Sequence, residues 1–491
     1  MAHRSLLGAR RPAPEPASPR RLQDWLVHPA LVLIMAGIVG LAVGMQFVKV
    51  NPRLIKAVIA AIMFFVFARY PVYVGVGAFV LLYPFPTAVA LGNSNFIFAV
   101  MLTAMWLVKV GLRVEPWPRG SLLGTPVFAL FAVHILSLIM MPDFMDFREV
   151  VLFQQFLLAA VLVFAVMTNT ITTPRRLHFL FQVLTVGAVM TNLQALIQFV
   201  APTLRIIPAW YYVSPALGQA AEFGGRIGGV FRSHPLLADS AAMMVILQLF
   251  LMTRAAGPWR KGYHLAVAGL ATLSLFISVN RGGFVILLFG LLIVGWHLRR
   301  DLKFSRIAVS VSVLAITFLI FEQLTAGRYE DEVTLFSRVA GTRFESLMPE
   351  NRAKVWTYYA GLILQSPILG HGPMIDIIAM EAWPHNAYLF YAYTTGVIGL
   401  SIFLWLLLRA ILKTRPRGAV SWVHGSYVRG AMLAVHVMLL QFAVGQLRTD
   451  HQRGNVFVYL AYILFAQAAI VYRLVQEERR GERALTSRTP P

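Results

Sequence analysis

Apolar runs recur along almost the whole chain and restrict it to a membrane-spanning fold. They follow one another from Leu31 to Val471, and 58% of the 491 residues are hydrophobic. A bilayer core needs about 20 apolar residues per helix, and fewer where flanking Lys or Arg side chains reach the interface. We therefore predict an all-α polytopic integral membrane protein with about 12–14 transmembrane helices.

Fourteen candidate spans can be drawn. They are Leu31–Phe47, Leu54–Phe67, Val72–Val89, Phe96–Val108, Pro126–Met141, Val151–Met167, Leu177–Val200, Leu236–Met252, Leu265–Ser278, Phe284–Trp296, Ile307–Phe321, Ala387–Leu412, Ala431–Val444 and Val456–Val471. Only Ala68–Pro71 separates the second from the third, so these two could form one broken helix.

The distribution of charge predicts the orientation. With the N-terminus inside, fourteen spans put both termini in the cytoplasm. The inner segments then carry a net charge of +21 and the outer segments +1. Excess positive charge on the cytoplasmic side is the rule for membrane proteins. The basicity of the chain therefore indicates topology and contact with anionic lipid, not nucleic-acid binding. Lys49, Arg53 and Lys56 are exceptions, because this topology puts them outside.

The span pattern also predicts the domains. We expect residues 1–28 to be a disordered basic cytoplasmic tail and 29–322 to hold transmembrane helices 1–11. Residues 323–386 should form a long periplasmic loop, 387–473 should hold helices 12–14, and 474–491 should be a cytoplasmic tail, of which Gln476–Pro491 is polar and mobile. Arg20 and Arg21 before an apolar run suggest a twin-arginine signal. No small-residue cleavage site follows, so a retained anchor is favoured.

Several kinds of site have no signal in the sequence. The chain has no cysteine, which excludes disulfides, a thiolate nucleophile and Cys-ligated metals. Phosphate-loop, dinucleotide-binding and H-E-x-x-H zinc motifs are absent. The acidic run Glu330-Asp331-Glu332 is typical of a solvated turn. We therefore expect neither a metal nor a cofactor.

The long loop from Gln323 to Asn386 ends at P-H-N-A-Y-L, which puts His385 where a polar loop enters an apolar span. An imidazole can accept a proton from a hydroxyl near neutral pH. The same position would also suit an ordinary interfacial histidine that packs or caps.

Arginines mark the edges of other outer segments. Arg226, Arg232 and His234 lie in G-G-R-I-G-G-V-F-R-S-H-P, whose glycines allow close approach to a phosphate. A loop that merely re-enters the membrane would also use Gly and Pro. Arg281, in V-N-R-G-G-F, is the sole charge between two apolar runs. A charged side chain between two membrane-spanning runs usually has a function. The alternative is that the Arg281 side chain only extends to the lipid headgroups.

Within the loop, Asn351–Pro367 predicts an amphipathic helix that is capped by Asn351 and ends before Pro367. Trp356, Tyr359, Leu362 and Ile363 would face the membrane domain. Arg352 would lie in the first turn, where backbone N–H groups favour anions.

The tight turn G-H-G-P follows this helix, and its His371 is typical of a turn residue rather than a second base. Asp376 and Glu381 come next, and either carboxylate could orient His385.

The order of these motifs resembles the superfamily of O-antigen ligases and Wzy-type polysaccharide polymerases, which are bacterial envelope glycosyltransferases. The shared features are R-G-G at Arg281, R-x-x-x-W at Arg352, P-I-L-G-x-G at Pro367, H-N-x-Y-L at His385 and G-x-I-G-L at Gly396. The resemblance covers about residues 226–400. Two features depart from the family: its ligases usually have about twelve spans against the fourteen candidates here, and the basic N-terminal extension has no assigned role in the family.

The resemblance implies a function for the candidate residues. His385 would be the essential base, and Arg281 and Arg352, with Arg226 or Arg232, would hold an undecaprenyl diphosphate that carries a glycan. The partners would be this donor, an acceptor glycan or lipid, membrane lipids and other polysaccharide-assembly proteins. The site would lie on the periplasmic face of the bacterial inner membrane.

Two other classes stay open from the residues alone. A lipid or polysaccharide transporter would not need His385, and a non-catalytic scaffold would not need Arg281 or Arg352. The sugar, the linkage and the choice between polymerase and ligase have no signal beyond the extra spans and tails, which favour a polymerase.

Overall fold

The structure is a computed structural model that describes residues 64, 68–84, 94–140, 147–200, 227–231, 233–278, 280–299, 350–372, 384–416, 421–422, 424–449 and 455–486. Within these ranges all regular structure is helical, which confirms the predicted all-α class. The α-helices are α1 (Val72–Leu82), α2 (Ser94–Gly111), α3 (Gly124–Ser137), α4 (Phe147–Thr170), α5 (Pro174–Val200), α6 (His234–Arg254), α7 (Pro258–Ile277), α8 (Arg281–His297), α9 (Glu350–Gln365), α10 (Ala387–Thr414), α11 (Tyr427–Gly445) and α12 (Asn455–Thr486). Short 3-10 turns lie at Leu138–Met140 and Gly229–Phe231.

Most of the predicted spans coincide with these helices. Five helices in the described ranges are long and apolar enough to cross a membrane: α5, α6, α10, α11 and the Val458–Ala484 part of α12. Shorter apolar helices include α1, α2 and α8. The predicted spans Leu31–Phe47, Leu54–Phe67 and Ile307–Phe321 lie outside the described residues, apart from Phe64.

Local sequence signals set several helix starts. Proline is the first residue of α5 and α7 and the second of α6, positions where its missing N–H is not needed. Asn280, Asn386 and Ser426 cap α8, α10 and α11, since each side chain accepts a hydrogen bond from a first-turn amide.

Burial separates central helices from peripheral ones. In α6, α11 and α12, 83%, 78% and 89% of the most apolar window is buried, against 39% in α5 and α10. A helix that is apolar on every side belongs in the interior of a bundle. The core is therefore built around α6, α11 and α12.

Different helix termini and turns lie at the two ends of the bundle. One end, here called the His385 end, collects the N-termini of α6, α8 and α10 and the C-terminus of α11. At the opposite end, arginines hold chain turns: Arg254 donates to the carbonyls of Gly425 and Ser426, and Arg473 to those of Thr168 and Ile171.

The C-terminal tail differs from the prediction. We expected Gln476–Pro491 to be polar and mobile, but α12 continues as a helix to Thr486. Its polar extension is held by ion pairs, because Arg429 contacts both Glu478 and Glu482. Ser426 also donates to Glu478 at 2.7 Å. The polar residues of this segment therefore belong to a helix end that packs against the start of α11.

Candidate functional site

A kink in α10 receives the P-I-L-G-H-G turn. Gly396 has φ 65° and ψ −167° inside α10, a conformation that is essentially restricted to glycine. The kink leaves backbone groups of α10 available to the turn. The Val397 amide donates to the Pro367 carbonyl at 2.8 Å, and the His371 amide donates to the Tyr393 carbonyl at 2.8 Å. The P-I-L-G-H-G turn and the kink at Gly396 therefore form one structural unit.

His371 belongs to this unit. Its Nε2 lies 2.8 Å from the Leu362 carbonyl oxygen, so that nitrogen donates a hydrogen bond to α9. Its ring stacks on Tyr393, with 4.7 Å between ring centroids and 22° between planes. These contacts agree with the predicted structural role of His371.

Helix α9 packs on α10 through its apolar face. Tyr359 is fully buried against Phe390 and Tyr393, and Leu362 and Ile363 pack beside it. The prediction of this face from the sequence is confirmed. The helix begins at Glu350, so Asn351 is its second residue and not its cap, a difference within the usual uncertainty of helix ends.

Trp356 joins α9 to the segment that carries the histidine. Its indole Nε1–H donates to the Pro384 carbonyl at 2.9 Å. Arg352 lies one helical turn before Trp356, as the third residue of α9. The structure therefore brings the helix that carries Arg352 against the segment that carries His385.

His385 is exposed and has a left-handed backbone with φ 48°. His, Asn and Asp are the non-glycine residues most often found there, and departures of this kind cluster at functional sites. The next residue, Asn386, is 5% exposed and caps α10 by accepting from the Tyr388 and Leu389 amides. A fixed helix start thus presents an accessible imidazole.

The turn after α11, Gln446–Thr449 (the 446–449 turn), holds this helix start from the other side. The Ala387 amide donates to the Gln446 carbonyl at 2.9 Å, and the Asn386 side chain donates to the Leu447 carbonyl at 3.3 Å. The Tyr388 hydroxyl also donates to the Ala443 carbonyl at 3.0 Å.

The same turn carries Arg448, which reaches two further helices. Its guanidinium donates to Asn280 Oδ1 at 2.6 Å and forms an ion pair with Asp239 on α6. Asn280 is also the cap of α8, because its Oδ1 accepts from the Gly283 amide at 3.1 Å. Arg281, the first residue of α8, follows this cap directly.

The predicted site residues are described to different extents. Arg281 and Arg352 lie in the first turns of α8 and α9, and the structure gives their backbone positions only. Arg226, Arg232, Asp376, Glu381 and the acidic run Glu330-Asp331-Glu332 lie outside the described residues.

Sequence reasoning missed Arg448, Asp239 and Asn280. Asp239 offered a signal, since it is the single acid within the apolar run of α6, and intramembrane acids usually have polar partners. Arg448 follows an apolar span and resembles any flanking arginine. Its contact with Asp239 joins residues 209 positions apart, so no local pattern could predict it.

Comparison with known proteins agrees with these motifs. The family model for O-antigen ligase matches residues 266–404, a stretch that contains α8, α9, the His385 segment and the kink of α10. No match to the chain is found among curated proteins. Members of this family are glycosyltransferase-like enzymes of the bacterial envelope. The match over residues 266–404 supports the resemblance of this part of the chain to the superfamily of O-antigen ligases and Wzy-type polysaccharide polymerases.

Proposed function

We propose that this protein transfers a glycan from undecaprenyl diphosphate to an acceptor hydroxyl at the periplasmic face of the bacterial inner membrane. Both termini are then cytoplasmic. The O-antigen ligase match supports the general reaction class. The charge asymmetry of the loops, +21 against +1, supports the orientation.

One observation carries the assignment of the site. The exposed His385 lies on a segment that contacts both α9, through Trp356, and the 446–449 turn, which in turn holds the cap of α8. A titratable base and the two helix starts that bear Arg352 and Arg281 therefore belong to one end of the bundle. Transfer from a lipid diphosphate needs this combination of a base and anion ligands.

The proposed reaction is a direct displacement. Arg281 and Arg352, with Arg226 or Arg232, bind the diphosphate of the donor. His385 accepts the proton of the acceptor hydroxyl as its oxygen attacks the anomeric carbon. The bond from that carbon to the diphosphate oxygen breaks, its electrons stay with the diphosphate, and the anomeric configuration inverts.

Guanidinium groups can stabilise the charge that develops on the leaving diphosphate. We therefore propose that the reaction is independent of divalent metal. Purified protein assayed with a lipid-linked donor should keep its rate in excess EDTA. A rate that falls with EDTA and returns with Mg²⁺ would contradict this part of the mechanism.

We favour a polymerase over a ligase. The donor is the same, but the acceptor is the non-reducing end of another lipid-linked glycan for a polymerase and lipid A–core for a ligase. The extra predicted spans and the long tails support the more variable polymerase group. A deletion strain should then accumulate single repeat units on the carrier lipid or transferred onward, without long chains. Full-length polymer still attached to undecaprenyl diphosphate would instead identify a ligase.

A further inference from the structure

The 446–449 turn is the place where the predicted base and a predicted anion ligand are joined through protein contacts. We infer that Arg448 is a positioning residue that fixes the start of α8, and with it Arg281, relative to His385. This inference rests on the proposed function, because it concerns the geometry of the same site.

Arg448 is held between two helices. One terminal nitrogen of its guanidinium donates to Asn280 Oδ1 at 2.6 Å, and the other donates to the Asp239 carboxylate. The Asp239 side chain is 3% exposed and that of Arg448 is 18% exposed. A planar guanidinium can serve two acceptors in a fixed geometry, which an ammonium cannot reproduce. The charge of Arg448 is balanced by Asp239, so its contribution is geometric rather than that of a further diphosphate ligand.

The glycines of the R-G-G motif make room for this arrangement. A Cβ at position 282 would clash with Nε of Arg448, and a Cβ at position 283 would lie 2.6 Å from Cβ of Ala238 on α6. Gly445 is less restricted, because a Cβ there would lie 3.2 Å from Oδ2 of Asp239, a close contact that a small shift would relieve. The R-G-G motif therefore starts α8 and also leaves room for the Arg448 side chain at Gly282.

The backbone of the same turn holds the other half of the site. The carbonyls of Gln446 and Leu447 accept from the Ala387 amide and the Asn386 side chain. These two contacts lie immediately after His385. A shift of Arg448 would therefore alter the spacing between the base and the helix that carries Arg281.

Arg448→Lys tests this role because it keeps the charge and removes the two-acceptor geometry. We expect kcat to fall about 10²-fold, the loss typical of a misplaced catalytic group. Hydrogen exchange without substrate should become faster at amides 282–284 and 387–389. Asn280→Ala leaves the ion pair but removes both this acceptor and the cap of α8, so it should speed exchange at 282–284 and lower kcat by less than Arg448→Lys does.

Arg473→Lys is the matched control. Arg473 also donates to two acceptors, the carbonyls of Thr168 and Ile171, but at the opposite end of the bundle. This variant should keep the kcat and the exchange rates of residues 282–284 and 387–389. A loss of folded protein in both variants, without the selective fall in kcat per folded molecule, would show that Arg448 is only structural.

The two proposals fail in different ways. Wild-type kcat in Arg448→Lys, or unchanged exchange in both segments of Arg448→Lys and Asn280→Ala, would overturn the positioning role even if His385 is essential. Full turnover after replacement of His385 would overturn the proposed function, whereas the exchange measurement would still report whether Arg448 fixes the two segments.

Discussion

At the scale of the residue, position 385 has two requirements that can be separated. The backbone needs a residue that tolerates φ 48°, and the proposed chemistry needs a base. Asn meets the first requirement and fails the second. Ala removes the base but also adds strain at positive φ, so His385→Asn is the cleaner replacement.

The proposed anion ligands Arg281 and Arg352 are tested by replacing the guanidinium with an ammonium, which keeps the positive charge. A guanidinium can bind a diphosphate through two parallel hydrogen bonds, and an ammonium cannot. We therefore expect Arg281→Lys and Arg352→Lys each to lose most of the transfer activity, measured as product formed per folded molecule. Lys354→Arg, two residues along α9 on an exposed position, is the control and should retain activity. Full activity in both lysine variants would show that Arg281 and Arg352 do not bind the diphosphate through paired hydrogen bonds and serve only as membrane anchors.

The residue scale also shows what the sequence could and could not predict. The sequence singles out His385 as a candidate because a polar loop re-enters an apolar run at that position. Its left-handed backbone was not predicted, since nothing in P-H-N-A-Y-L requires it. Arg448 and Asp239 were missed because their partnership depends on how α6 and α11 pack, which the local pattern does not encode.

At the scale of the element, the pair of α9 and α10 depends on one glycine. The sequence predicted α9 and its apolar face from the helical spacing of Trp356, Tyr359 and Ile363. It did not predict the kink at Gly396, because an apolar run of membrane-spanning length gives no sign of an interruption. The kink provides the carbonyl and amide groups on which the Pro367–Gly372 turn docks.

Gly396→Ala should separate these two elements. A Cβ there would clash with the Ile368 carbonyl, and the backbone conformation costs a non-glycine residue about 1–3 kcal/mol. We expect a lower melting temperature in detergent, faster hydrogen exchange in α9 and loss of activity.

Gly361→Ala is the control for this prediction. Gly361 lies within α9, and a Cβ there would meet no atom within 4 Å. Ala is favoured over Gly in a helix by about 1 kcal/mol, so this variant should be at least as stable as the wild type. Equal stability of Gly396→Ala and Gly361→Ala would show that the kink can relax without cost.

At the scale of the whole molecule, burial defines the bundle and the loop charges predict its orientation. The apolar helices α6, α11 and α12 form its centre, and composition was sufficient to predict most of the helices that the structure describes. The order of the helices around the centre could not be predicted, because apolar helices give similar patterns whichever neighbours they contact.

The orientation predicts the outcome of reporter fusions. An alkaline phosphatase fusion near Gly341 should be active, since this enzyme folds only outside the cytoplasm, and a fusion near Arg415 should be silent. The loop charges supply the reason, as the excess of Lys and Arg lies on the side of Arg415. The reverse pattern would put His385 in the cytoplasm and exclude the periplasmic site.

The most direct test of the account is the release of undecaprenyl diphosphate by purified protein supplied with a glycan on this carrier. Wild-type protein should release it as product forms, and so should His424→Asn, which alters an exposed histidine at the opposite end of the bundle. His385→Asn should release it about 10²–10⁴-fold more slowly, the range expected for loss of a general base. Release by His385→Asn at the wild-type rate would contradict the assignment of His385 as the base.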